Sequence, residues 1–293
     1  MEMVDIFLLE AVLNGILLGG LLALLSLGLN LIFGVIDVVW ICYAEMIMIG
    51  MYAVYALHVQ QHWPLLAAMA AGIAIVALLG AALHQFVIRP VLSAEPINQL
   101  LVTGGVLFFL QAAATLAFGI EFKNLGVKLP PVVFGLGNAG ELSFSLPRII
   151  AFVVAVAGVA ATYLLLTRTY IGTAIRAISQ DREILPLVGV NPGRIFVVTS
   201  ALGGALAGLS ACLLVLQYDI HPAIGLSFGP ITFLICVLGG LGNMLGGLVA
   251  AFIFAQFISV GGFFFAIEWG YVIAFVFFIA VMFWRPQGIL GGK

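Results

Sequence analysis

The sequence predicts an all-α, polytopic transmembrane helical bundle, and three observations predict it. Of the 293 residues, 64% are hydrophobic and 8% charged, against about 25% charged in soluble domains. The mean hydropathy is +1.29, and the apolar residues fall in runs of roughly 20, long enough to cross a hydrocarbon core about 30 Å thick. Those runs lack the alternation of barrel strands, so each must pair its backbone polar groups internally as a helix. About eight segments are expected, near 11–36, 38–57, 64–88, 100–120, 149–166, 195–216, 224–260 and 262–284, forming one membrane domain over 1–293.

No charged n-region with a short apolar core and a small-residue cleavage site opens the chain, so the first segment is expected to insert and stay. Beside the second segment lie Asp37 and, within it, Glu45. An acid inside an apolar run is a functional-site candidate by default, whereas Asp37 either shares that role or caps a helix end. His58 and His62 stand beside Trp63 where the second segment ends, which reads as a membrane interface rather than a metal site. Cys42, Cys212 and Cys236 are widely spaced in apolar segments and read as small packing residues, not as a disulfide or metal set.

Topology follows from Lys and Arg in short loops. Arg89, the 168–194 loop and Arg285 with Lys293 are assigned to the cytoplasmic side. The 121–148 loop, with Lys123, Lys128 and Arg148 spread along a Pro- and Gly-containing connection, is placed outside. Three segments between 168–194 and Arg285 would leave that arginine on the wrong side, so one of them must fold back. The candidate is 224–260, interrupted by VLGGLGNMLGGLVAAF at 237–252. There Gly239, Gly240, Gly242 and Asn243 weaken a helix interior, glycine costing about 1 kcal/mol relative to alanine. A break at membrane depth is expected to face a translocation path, unless the glycines serve close helix packing. LGGLLALLS at 18–26 and LGGALAGLS at 202–210 agree at seven of nine positions, which suggests two related halves, inverted if the N-terminus, with Glu2, Asp5 and Glu10 but no Lys or Arg, lies outside.

The 168–194 loop holds four of the ten basic residues, Arg168, Arg176, Arg182 and Arg194, with Asp181 and Glu183. Residues 170–179 read as a helix continuing past the membrane surface. A short amphipathic turn follows in DREILPLVG, stopped by Gly189, and then a turn at Asn191, Pro192 and Gly193. Such an element suits docking, either on lipid headgroups or on a protein.

G-x-x-x-R-A followed by D-x-x-x-x-x-x-x-G-V-N-x-x-R, here Gly172, Arg176, Ala177, Asp181, Gly189, Val190, Asn191 and Arg194, resembles the coupling loop of the branched-chain amino acid (Liv-type) permeases of bacterial ABC importers. NGILLGGLLALLSLGLNLIFGVI at 14–36 resembles the first helix of that family, 237–252 its Gly-rich segment, and RPQGILG at 285–291 its C-terminal ending. The resemblance implies a transport subunit of the inner membrane, not an enzyme, whose loop (Arg182 and Glu183 included) docks on cytoplasmic ATPases. It implies two ATPase subunits, a second homologous permease or a second copy of this chain, and a periplasmic solute-binding protein, besides membrane lipid. ATP and Mg would reside in the partners, since this chain has no G-x-x-x-x-G-K-[ST] loop. No cofactor, no catalytic or metal residues and no nucleic-acid partner are expected at a net charge of −2.

One stretch departs from the family. Where those permeases commonly read I-N-F-A-H-G, this chain reads Val39, Trp40, Ile41, Cys42, Tyr43 and Ala44. Trp40 and Tyr43 exchange small polar groups for large aromatics, so the path is expected either to suit a bulkier solute, aromatic or carboxylate-bearing, or to be repacked around them. The expected path residues are Trp40, Tyr43, Glu45, Asp37, Gly239, Gly240, Gly242 and Asn243. The competing transport mechanism is an ion-coupled secondary transporter with Asp37 and Glu45 as its coupling pair.

Overall fold

The fold is that of a computed structural model, which describes residues 2–127, 130–135, 141–180 and 189–291. Among the described residues, six helices are long and apolar enough to span a membrane. They belong to α1 (Glu2–Ile36), α3 (Leu65–Leu83), α5 (Pro96–Phe118), α6 (Leu146–Arg168), α8 (Pro192–Leu214) and α10 (Met244–Phe264). Three shorter apolar helices accompany them: α2 (Tyr43–Tyr55), α9 (Ile224–Gly239) and α11 (Ile267–Trp284). A π-helical turn extends α2 over Ala56–Gln60, and another, followed by a short α4 (Arg89–Val91), extends α3 over His84–Ile88. The chain is therefore a multi-pass helical membrane protein.

Two features refine the expected pattern. The 224–260 segment, expected to fold back, is two helices, α9 and α10, that reverse direction at residues 240–243, where Gly239 meets Gly246. The 121–148 connection contains a small hairpin, β1 (Pro131–Gly135) antiparallel to β2 (Glu141–Ser145), where alternating VVF and LSFS runs supply strand patterning.

The helices interlock as two halves. α1 runs antiparallel along α10: Ser259 Oγ donates to the Ala11 carbonyl at 2.6 Å, Gln256 Nε2 to Val12 at 3.1 Å, and Asn30 Nδ2 to Asn243 at 3.5 Å. α8 runs antiparallel along α3, with Gly80 against Ser200, Gly204 against Val76, Gly208 against Ile73, and Cys212 Sγ donating to Met69 at 3.5 Å. Gly28 and Gly203 let α1 and α8 meet between these pairs, where small residues permit close backbone approach. The first helix of each half thus packs along the third helix of the other. α1, α2, α3 and α5 are traversed in the opposite sense to α8, α9, α10 and α11, the arrangement of an inverted repeat, as the matching runs at 18–26 and 202–210 suggested.

This path gives the molecule two chemically different ends. At one end lie Arg89, Arg168, Arg176, Arg194 and Arg285, where α3, α6, α8 and α11 start or stop. At the other lie Arg148, the hairpin and Lys123, whose backbone pairs with Ile220. Trp40, Tyr43, Tyr52 and Phe254 are the largest fully buried side chains, and three of them lie in α2 or just before it.

Candidate functional site

Residues 37–42 interrupt the helical run between α1 and α2. Asp37 ends α1 in the left-handed region, φ 62°, its N–H still donating to the Phe33 carbonyl at 2.8 Å. The non-helical residues behind it include Val38 and Val39, whose branched β-carbons lower helix propensity. Thr103 of α5 donates to the Val39 carbonyl at 3.1 Å and pins the stretch across the bundle. The carbonyl of Trp40 then accepts from Tyr43 at 3.1 Å and that of Cys42 from Glu45 at 3.1 Å, which starts α2.

Trp40, Tyr43 and Glu45 come together on one cavity of about 410 Å³. Leu100 and Leu107 of α5 close one wall, and Leu226, Pro230 and Phe233 of α9 close another. None of the lining side chains is a Lys, Arg or His. Glu45 is 0% exposed, and neither of its carboxylate oxygens has a hydrogen-bond partner; nor do Trp40 Nε1 and Tyr43 Oη. Buried polar groups are paired in the great majority of cases, so three unpaired groups within six residues mark this place apart. Gly225 makes room for the acid: a Cβ there would lie 2.5 Å from Glu45 Cδ and from both its oxygens.

The other expected path residues lie elsewhere. Asp37 is exposed, does not line the cavity, and serves as the end of α1. Asp37 and Glu45 therefore do not face one another across a common site. Gly239, Gly240, Gly242 and Asn243 form the α9–α10 reversal at the arginine-rich end, away from the cavity. Gly240 and Gly242 have φ of 96° and 82°, a conformation that favours glycine. Asn243 caps α10 by accepting from the Gly246 N–H at 3.0 Å, and donates to the Leu290 carbonyl at 2.7 Å. Asn30 accepts from the Gly242 N–H at 3.1 Å, and Gly239 abuts Gly246. The Gly-rich break is packed against α1 and the C-terminal tail, so its glycines serve close approach rather than a lined path.

In the 168–194 loop, α6 does not run on past residue 168. Thr169 is extended and its Oγ1 accepts from the Gly172 N–H at 3.1 Å, an N-cap that starts a separate helix, α7 (Tyr170–Gln180). α7 buries Gly172, Ala174, Ile175 and Ile178 and leaves Arg176 exposed, with Ala177 between. Gly172 sits directly on the backbone of Leu165 and Leu166, which holds α7 flat against the end of α6. Gly189 has φ 82°, and Asn191 caps α8 by accepting from the Arg194 N–H at 3.3 Å, with Arg194 exposed beside it. Asp181, Arg182 and Glu183, and with them the expected amphipathic turn, lie outside the described residues.

A second cavity, about 520 Å³, opens at the opposite end between α1, α6, α10 and α11. Its polar groups are partly satisfied, Arg148 donating to Asn14 at 3.1 Å; the other buried polar atoms without a partner among the described residues, Tyr52 Oη and His84 Nδ1, line neither cavity. Among the described residues no three His, Cys, Asp or Glu side chains converge on a metal position. Sequence reasoning missed Gly225, Thr232, Leu107 and Phe233, apolar or small residues without contrast in an apolar helix. One signal was available, Pro230, which has no N–H to give the Leu226 carbonyl one turn earlier.

An inverted pair of helical halves, an interrupted helical run holding a buried unpaired acid inside an apolar bundle and a basic end with an amphipathic helix packed on it define a class, the helical membrane transport proteins. Within it the family is explicit: residues 11–282 match the family described as branched-chain amino acid transport system / permease component, and the chain belongs to that family. It is similar to the high-affinity branched-chain amino acid transport system permease protein BraD of Pseudomonas aeruginosa, 31% identical over 293 residues, covering 97% of this chain and 95% of the relative. LivH permease proteins of Salmonella typhimurium and Escherichia coli, of the same description, are 27% identical over 300 residues, 98% of this chain and 96% of theirs. No solved structure gives a significant match. The chain is a transporter permease component, not an enzyme, and permeases of this kind work with ATPase and binding-protein partners.

Proposed function

We propose that this chain is the membrane conduit of an importer for branched-chain amino acids, or for a related small carboxylate-bearing or aromatic solute, with the Glu45 cavity on the solute path. The observation that carries the path assignment is that Trp40, Tyr43 and Glu45 line one apolar cavity and that the buried Glu45 carboxylate beside Gly225 has no partner. The full-length likeness to BraD and LivH proteins supports the solute class. The arginine-rich end faces the cytoplasm by the positive-inside rule, which puts α7 on the cytoplasmic face of the inner membrane and the hairpin outside.

The assembly has two ATPase subunits, which hold the ATP and Mg, and the 168–194 loop docks on one of them. Arg176 on the exposed face of α7 and Arg194 at the start of α8 lie at that contact, together with Asp181, Arg182 and Glu183. A second permease, homologous or identical, completes the conduit, and a periplasmic binding protein delivers the solute to the hairpin side. The packed face of α7 against α6 is what allows a push on the loop to reach the membrane helices.

Reconstitution of the purified assembly with its binding protein tests this. ATP-driven uptake of leucine is expected, and Arg176→Ala and Glu183→Ala are expected to leave the membrane domain folded while lowering transport-coupled ATP hydrolysis. Normal coupling in both variants would remove the loop from the ATPase contact.

A further inference from the structure

Glu45 is the one acid among the residues lining its cavity, it is fully buried, and both carboxylate oxygens lack a partner. A buried carboxylate is costly unless paired, and no basic side chain lines the cavity to pair with it. A solute carboxylate placed here would meet a like group and no cation. A bare metal ion would ask for several oxygen ligands, and the side chains lining the cavity offer one carboxylate, Glu45, besides the hydroxyls of Tyr43 and Thr232. What fits is an organic cation with an apolar body: N–H donors for the carboxylate, an aromatic wall in Trp40 that attracts positive charge, and Leu107 and Phe233 for the hydrocarbon.

We infer that the Glu45 cavity reads the ammonium group of a primary amine bearing an apolar side chain, with Glu45 as the specificity-determining residue and the solute carboxylate left unread at this station. The inference deepens the permease reading and takes from it the choice of leucine as probe. Gly225 is part of the device, because any side chain there displaces the carboxylate.

The test is equilibrium binding to the complete transporter in nanodiscs, without the binding protein, using labelled leucine with isopentylamine and 4-methylpentanoate as competitors. Isopentylamine is expected to compete and 4-methylpentanoate to fail. Glu45→Gln is expected to weaken leucine and isopentylamine binding at least tenfold, with Glu45→Asp restoring part of the affinity and neither variant melting below the parent. Full affinity in Glu45→Gln, competition by 4-methylpentanoate equal to that of the amine, or no binding of isopentylamine would each overturn the inference. ATP-driven leucine uptake by the parent assembly separates the two readings. Uptake unchanged by Glu45→Gln overturns only the ammonium site, whereas Glu45-dependent amine binding without any ATP-driven uptake overturns only the importer.

Discussion

Two interruptions of the apolar helices invite comparison, residues 37–42 before α2 and the glycine turn between α9 and α10. Both break a membrane run, and both were expected to border a path. At the glycine turn the polar groups find partners: Asn243 engages Gly246 and Leu290, and Asn30 engages Gly242. At the α2 start Trp40, Tyr43 and Glu45 line a cavity and keep buried polar atoms without partners, the Tyr43 hydroxyl turned toward Gly28 and the Glu45 carboxylate toward Gly225. Glycine density therefore reports how closely backbones approach, while an unsatisfied buried carboxylate beside a cavity is what sets the α2 start apart.

The comparison breaks or sharpens under substitution. The largest effect is expected at the saturated turn, where Gly246 faces the Gly239 carbonyl directly. Gly246→Val meets backbone rather than a movable side chain and should cost about 3 kcal/mol or more, read as loss of folded, detergent-stable protein. Glu45→Met should do the opposite to stability while destroying function. Removing an unpaired buried carboxylate should raise unfolding stability by about 1–3 kcal/mol, seen as a higher Tm, as leucine uptake collapses. A lower Tm in that variant would mean that Glu45 is a structural residue.

Smaller effects follow at the aromatics and the cap. Trp40→Asn together with Tyr43→His should change the uptake ratio of aromatic to branched aliphatic amino acids by roughly tenfold; an unchanged ratio would reduce both residues to packing. Asn243→Ala removes one cap and should cost about 1 kcal/mol with the solute profile intact, measured by thermal melting and competition uptake.

Much of this was legible in the sequence, and the reasons are physical. Glu45, Trp40 and Tyr43 stood out because a charged or bulky polar residue contrasts with an apolar run, and the structure gathers them on one cavity. The two halves were legible because close helix packing uses small residues in similar runs, at 18–26 and 202–210. The glycine turn was legible as an interruption, but glycine looks alike whether a backbone or a cavity lies beside it, and only the contact of Gly239 with Gly246 decides. Asp37 looked like the companion of Glu45, yet eight residues of chain include an irregular stretch that turns it to the surface. The cavity walls at Leu107, Gly225 and Phe233 carry no sequence contrast at all, and the start of α7 rested on Thr169, whose capping role was hidden in a helical-looking run.

The measurement that reaches the central claim most directly is thiol modification at Leu226→Cys, a cavity-lining position that is 51% exposed. Cys42, Cys212 and Cys236 are buried and leave a low background. In the assembled transporter, leucine is expected to slow the reaction severalfold, and trapping the ATPases in the ATP-bound state is expected to change its rate again. A rate indifferent to both would contradict the account, because the Glu45 cavity would then lie off the solute path.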